Sequence, residues 1–118
     1  MDRSLRLLVV EDHVDSAELL AELLESRGHI VRVATTASDA IVAAGEQTFD
    51  VVVSDVGLPD ASGYELMAAL RDRYHIKGIA LSGTAVDTQR GQAAGFSAQL
   101  SKPVTLRRLE QVLQDVIQ

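Results

Sequence analysis

Cysteine is absent from the 118 residues, which excludes both a disulfide framework and a thiolate metal site. A reducing compartment is compatible with that, and the cytoplasm is the expected address. No apolar run approaches the roughly 18 residues that a bilayer-crossing helix needs, and the opening Met1-Asp2-Arg3-Ser4 lacks the apolar stretch of a signal peptide. Positive charge is scarce too, with 11 Lys and Arg against 17 Asp and Glu and a formal net charge of −6. Such a surface repels phosphate backbones and anionic headgroups, so neither nucleic acid nor a membrane is expected as a direct partner. Proline occurs twice, and no internal repeat, low-complexity tract or Pro/Gly/Ser-rich linker interrupts the chain. What remains is a 47% apolar content, enough to bury one core of ordinary size but not two. Residues 1–118 are therefore expected to form a single domain.

The apolar pattern alternates between two periods. Leu5 to Val10 is broken only by Arg6 and ends at Glu11 and Asp12, as a strand buried on both faces does. Val14, Ala17, Leu20, Ala21 and Leu24 then recur at helical spacing, with Gly28 as a stop. Ile30 to Ala34 reads as a second strand, and Thr36-x-x-Asp39 as a capping box ahead of Ala37, Ala40, Ile41 and Ala44. Val51 to Val53 make a third strand ending at Asp55, followed by a loop with Gly57, Pro59 and Gly63. Ser62-x-x-Glu65 caps a third helix carrying Leu66, Met67 and Leu70. Ile79 to Leu81 form a fourth strand ending at Ser82-Gly83. A weak helix follows over Val86 to Ala94, where Gly91 lowers helix propensity by about 1 kcal/mol relative to Ala. Ala98 to Ser101 is a fifth strand, succeeded by Lys102-Pro103 and by a helix capped by Thr105, with Leu106, Leu109, Leu113 and Val116 on one face.

Strict alternation of buried strands and helices implies an α/β fold, a parallel sheet covered on both faces with right-handed crossovers. Ligands of such sheets bind beyond the carboxyl ends of the strands. The residues placed there are Glu11, Asp12, Asp55, Ser82 and Lys102. Three carboxylates at one rim repel one another, so their pKa values rise or a cation neutralises them. Oxygen ligands without His or Cys favour a hard ion such as Mg²⁺, for which Mn²⁺ should substitute. A lone ammonium and a hydroxyl facing those acids supply what a transferring phosphoryl group requires. A carboxylate can act as the nucleophile, and Asp55 is favoured because the adjacent Glu11 and Asp12 suit metal ligation.

These residues resemble those of a known family, the receiver domains of two-component response regulators. Glu11-Asp12 is similar to the family's acidic pair, and Asp55-Val56-Gly57-Leu58-Pro59 with Ser62-Gly63 to its phosphoacceptor loop. Ser82-Gly83 resembles its hydroxyl-plus-small-residue switch, and Ala94-Gly95-Phe96 with Lys102-Pro103 its closing segment. Each motif is weak alone, but their order on the expected strand ends is a strong signal. The resemblance implies a flavodoxin-like (βα)5 fold, a doubly wound parallel five-stranded sheet in the order 2-1-3-4-5. No output domain is expected within residues 1–118, which read either as a stand-alone receiver or as one excised from a hybrid kinase. It further implies that Asp12, Asp55 and the Gly57 carbonyl bind Mg²⁺, with Glu11 acting through water. Lys102 and Ser82 would hold the phosphoryl oxygens, the backbone of Gly57 and Gly83 would border the phosphoryl group, and the Lys102-Pro103 bond would be cis. The implied reaction is transfer from a phosphohistidine, on a histidine kinase or a phosphotransfer protein, to Asp55, followed by slow hydrolysis. The implied role is a signalling switch that catalyses its own modification. "LSKPV" and "AGF" are similar to receivers of hybrid kinases.

One position departs from the family pattern. Three residues before the lysine the family usually carries an aromatic residue or His, and here Gln99 stands, so phosphorylation is expected to be intact and its structural readout altered or muted. Taken singly, Asp12 reads as a helix cap and Lys102 as an exposed lysine before a helix-entry proline. His13, His29 and His75 have no ligand spacing and are read as surface residues. A haloacid-dehalogenase-type phosphatase would need a second Asp at position 57, which is Gly, and a nucleotide binder would need a P-loop that is absent. A receiver used purely for docking is a third alternative, and the presence of Glu11, Asp12, Asp55, Ser82 and Lys102 argues against it.

Overall fold

The computed structural model describes residues 3–118, and Met1 and Asp2 lie outside the described residues. Ten elements alternate strictly: β1 (Arg6–Val10), α1 (Val14–Glu25), β2 (Ile30–Ala34), α2 (Ala37–Glu46), β3 (Val51–Asp55), α3 (Gly63–Tyr74), β4 (Lys77–Ser82), α4 (Thr88–Ala94), β5 (Phe96–Ser101) and α5 (Leu106–Val116). All five strands are parallel, in the order β2-β1-β3-β4-β5. This is the doubly wound, flavodoxin-like sheet that the alternation and the resemblance led us to expect. Among the described residues no helix is long and apolar enough to cross a membrane.

The pleat divides each strand between two cores. Leu8, Val10 and Val52 pack with Ala40, Leu66, Met67 and Leu70 under α2 and α3. Leu5, Leu7, Val9, Val51 and Val53 pack with Leu24, Leu109 and Leu113 under α1 and α5. Each fully buried Leu or Val in these layers contributes about 1.5–3 kcal/mol of transfer free energy. Because both faces are covered, the strands carry apolar residues without alternation.

Helix starts follow local chemistry. Thr36, Ser62, Asp87 and Thr105 each accept a backbone N–H from the residue three positions on, satisfying a donor the helix would otherwise orphan. Some boundaries differ from the sequence expectation. β4 begins at Lys77 and β5 at Phe96, each two residues early, because sheet pairing continues through Gly78 and Phe96. α4 begins only at Thr88, where Asp87 provides the cap. α1 ends at Glu25, short of Gly28, and its N-terminal flank is His13, without a side-chain cap. Asp12 is therefore not the cap of α1. On the edge strand β2, Arg32 pairs with Glu46 at 2.6 Å and donates to Gln47 at 2.9 Å.

The expectation that all three histidines lie at the surface is wrong for His29, which is 4% exposed. Its Nδ1 accepts the Leu5 N–H at 3.0 Å, and its Nε2 lies 2.7 Å from a Glu110 carboxylate oxygen. Acceptance at Nδ1 leaves the proton on Nε2, which donates to the carboxylate. Glu110 also accepts from Gln114 at 3.1 Å. Helical spacing on α5 could not reveal this pair, because its members are 81 positions apart.

Candidate functional site

The carboxyl ends of β1 and β3, adjacent in the sheet, bring Glu11, Asp12 and Asp55 together. A ligand oxygen from each of the three lies within 4.8 Å of the others. Asp55 is the last residue of β3 and Glu11 the first beyond β1, so the sheet register itself sets their spacing. The tight approach of α3 to this rim depends on Gly63, where a Cβ would overlap with the Asp55 carbonyl oxygen. Gly63 also donates its N–H to Val56 O at 2.8 Å, and Gly57 bridges to Ser62. The 57–62 segment is thereby closed as a hairpin beside the acids.

Lys102 arrives from the end of β5. Its amine donates to Asp55 Oδ2 at 2.8 Å and lies 3.5 Å from Glu11 Oε1. The Lys102-Pro103 peptide bond is cis, as the resemblance implied. Burial works to lower the pKa of this ammonium, but the hydrogen bond and charge of Asp55, with the charge of Glu11, outweigh it and hold the pKa above the ordinary lysine range.

Glu11 shows the strain of the cluster. Burial, followed by its hydrogen bond with Asp55 and the Asp55 charge, pushes its pKa up to about 7 from an ordinary 4.5, against the opposing pull of Lys102. Its Oε2 is buried without any hydrogen-bond partner. An unpartnered buried carboxylate oxygen in a group of candidate ligands that, among the described residues, consists of carboxylates alone fits a hard divalent cation.

Ser82 is buried at the end of β4, 4% exposed. Its hydroxyl accepts from Thr84 N at 3.3 Å and donates to Thr84 O at 3.1 Å. Ser82 thus stands on the expected strand end, while its hydroxyl is turned to its own loop. Gly83, Glu11, Asp55 and Lys102 border a cavity of about 550 Å³ that continues over Leu20 and Val104. A Cβ at Gly83 or Gly57 would meet nothing within 4 Å, so both positions leave the rim open. Gln99 is not part of this group; its side chain is bonded to Thr88 of α4.

Asp60 carries a role that sequence reasoning missed. From the tip of the 57–62 hairpin it accepts Ala37 N at 2.9 Å and Ser38 N at 3.0 Å. These two backbone bonds hold its carboxyl below the usual pKa. They fasten the hairpin to the N-terminus of α2, where a negative charge is favoured. A carboxylate one residue after Pro59 carries no local signal of a bond made 23 positions away.

A family model described as response regulator receiver domain matches residues 7–114. Sensor histidine kinase RcsC of Salmonella typhi is 36% identical over 110 residues, 91% of this chain and 12% of that protein. Virulence sensor protein BvgS of Bordetella pertussis is 34% identical, over 97% of this chain and 10% of its own length. The chain thus spans about a tenth of the length of these relatives. Among solved structures, a CheY-like receiver domain protein from Methanospirillum hungatei superposes with a TM-score of 0.91 at 27% identity, covering 98% of this chain and 94% of that one. Chemotaxis protein CheY4 of Vibrio cholerae gives 0.90 at 28% identity, covering 97% and 99%.

Proposed function

The chain belongs to the response regulator receiver domain family of two-component signalling, and from that premise we propose that Asp55 accepts a phosphoryl group in a Mg²⁺-dependent reaction. The observation that carries the reading is the Lys102 amine, 2.8 Å from Asp55 and 3.5 Å from Glu11, at a rim where three carboxylates converge. A carboxylate oxygen of Asp55 attacks phosphorus, the P–N bond of a phosphohistidine breaks, and the imidazole leaves with its electron pair and takes up a proton. Lys102 neutralises charge on the phosphoryl oxygens. Ser82 turns its hydroxyl from Thr84 to donate to one of them, and the backbone of Gly57 and Gly83 borders the group. Glu11, Asp12, Asp55 and the Gly57 carbonyl would hold Mg²⁺, whose charge offsets that of the phosphoryl oxygens; Mn²⁺ should serve as well.

The donor in this reading is a histidine kinase or a histidine phosphotransfer protein, which is consistent with the sensor kinases among the relatives. The domain acts as a signalling switch that catalyses its own phosphorylation and dephosphorylation, in the cytoplasm, with no direct contact to nucleic acid or membrane. The test is intact-mass measurement after incubation with a small phosphodonor and Mg²⁺. One added phosphoryl group is expected in the wild type and none in Asp55→Asn. No adduct in either protein would reject the proposal in favour of a domain used for docking alone.

A further inference from the structure

Gln99 of β5 donates its side-chain amide to the backbone carbonyl of Thr88 at 3.1 Å. A carbonyl only accepts, so the nitrogen end of the amide must face it. Thr88 is the first residue of α4. Further along the same helix Gly91 is buried, and a Cβ there would overlap with the Gln99 amide. The amide therefore lies flat on bare backbone. The residue that weakens α4 as a helix is the one that lets a β5 side chain reach its first turn.

Other ties hold other parts of α4. Arg71 donates to Ala93 O at 2.8 Å near the C-terminal end, and the Arg90 guanidinium sits 4.4 Å from the Tyr64 ring centre. At the N-terminal turn, Asp87 caps Arg90 N at 3.0 Å, a bond local to the helix that fastens it to nothing else. Gln99 supplies a side-chain link from this turn to the sheet.

We propose that Gln99 and Gly91 form a clasp fixing the first turn of α4 to β5, and with it the far end of the 83–87 loop beside Asp55. Ser82 holds the near end of that loop through Thr84. The clasp involves neither Ser82 nor Asp55, so α4 stays docked when the Ser82 hydroxyl leaves Thr84. That consequence rests on the proposed role of Asp55; the clasp itself does not. Gln99 is thus a positioning residue acting through α4.

The first arm is amide hydrogen exchange of the full chain without phosphodonor, in the wild type, Gln99→Glu, Gln99→Ala, Gly91→Ala and the Gln99→Ala/Gly91→Ala double variant. Glu matches Gln in shape, but its carboxylate offers Thr88 no donor. Exchange of the α4 amides should rise about tenfold or more in Gln99→Glu at neutral pH, with α1 unchanged, and should return toward wild type near pH ~4, where the carboxyl is protonated. Equal α4 protection in Gln99→Glu and wild type at neutral pH would overturn the clasp. Gly91→Ala should speed α4 exchange alone and slow it in the Gln99→Ala background, where the methyl has room. The same effect in both backgrounds would also overturn it. In the second arm, phosphodonor and Mg²⁺ should change exchange at residues 82–85 while α4 stays protected; loss of α4 protection overturns the docked-helix consequence. Absence of a mass adduct would instead count against the Asp55 reading, and the clasp would still stand or fall on the first arm.

Discussion

Lys102 donates to Asp55 across 2.8 Å from a position 47 residues later in the chain, so the end of β5 supplies a cation to the end of β3. The same amine stands 3.5 Å from Glu11. One positive charge is shared between two acids that otherwise repel.

Lys102→Ala should separate metal binding from phosphoryl transfer. Removing the amine leaves the acids more repulsive, so Mg²⁺ affinity by calorimetry should equal or exceed that of the wild type. The rate of adduct formation should fall by about 10²-fold, the usual loss for one charge-stabilising donor. Parallel losses of affinity and rate would contradict the role proposed for Lys102.

Asp55→Asn should stabilise the metal-free fold by about 1 kcal/mol, because it removes one of three converging charges while Lys102 keeps Glu11 as a partner. Urea unfolding with a chelator present measures this. The stabilisation that Mg²⁺ gives the wild type should disappear in the variant.

Glu11 sets a pH dependence whose sign is defined. Its carboxyl titrates at about 7 in the folded chain against an ordinary 4.5, so the folded state holds the proton more tightly than the unfolded state. The stability it contributes is fully present below the lower value and is lost as pH rises through the upper one. Metal-free protein should therefore unfold at lower urea concentration at about pH 8 than at about pH 5. Glu11→Gln should flatten that difference, and saturating Mg²⁺ should oppose it. A profile unchanged by Glu11→Gln would assign the dependence elsewhere.

His29→Leu should destabilise the fold by about 3–5 kcal/mol, since it strands the buried Glu110 carboxylate and leaves the Leu5 N–H without its acceptor. A second change, Glu110→Leu, should recover part of that loss by removing the uncompensated charge. If the double variant is less stable than His29→Leu by the full cost of a second independent site, the pair is not the cause.

Asp60→Ala should lower the melting temperature at neutral pH. The folded-state pKa of Asp60 is depressed, so its contribution is present above the ordinary 3.8 and fades as pH falls through the lowered value. The gap between variant and wild type should close in strong acid.

The fold was readable in the sequence because a parallel sheet covered on both faces writes its strands as short, nearly unbroken apolar runs such as Val51–Val53. The convergence of Glu11, Asp12, Asp55 and Lys102 on one rim was readable because side chains just beyond neighbouring parallel strands meet there. Boundaries were less so: Gly78 looks like a breaker, yet it pairs with Val52 and accommodates the Met67 sulfur, where a side chain would not fit. The tertiary polar bonds of His29, Asp60 and Gln99 were illegible for another reason. Those of His29 and Asp60 span 81 and 23 positions, that of Gln99 passes from β5 to the preceding α4, and neither periodicity nor capping patterns report a tertiary hydrogen bond. Gly91 illustrates the difference, a defect by propensity that its buried contact with Gln99 explains.

At the outer margin of the sheet, β2 offers an unpaired backbone only five residues long, with Ile30 protruding at one end and Arg32 in the middle. A foreign strand adding there would have to strip water from a guanidinium held by Glu46 and Gln47. That guard disfavours stacking of copies into fibrils.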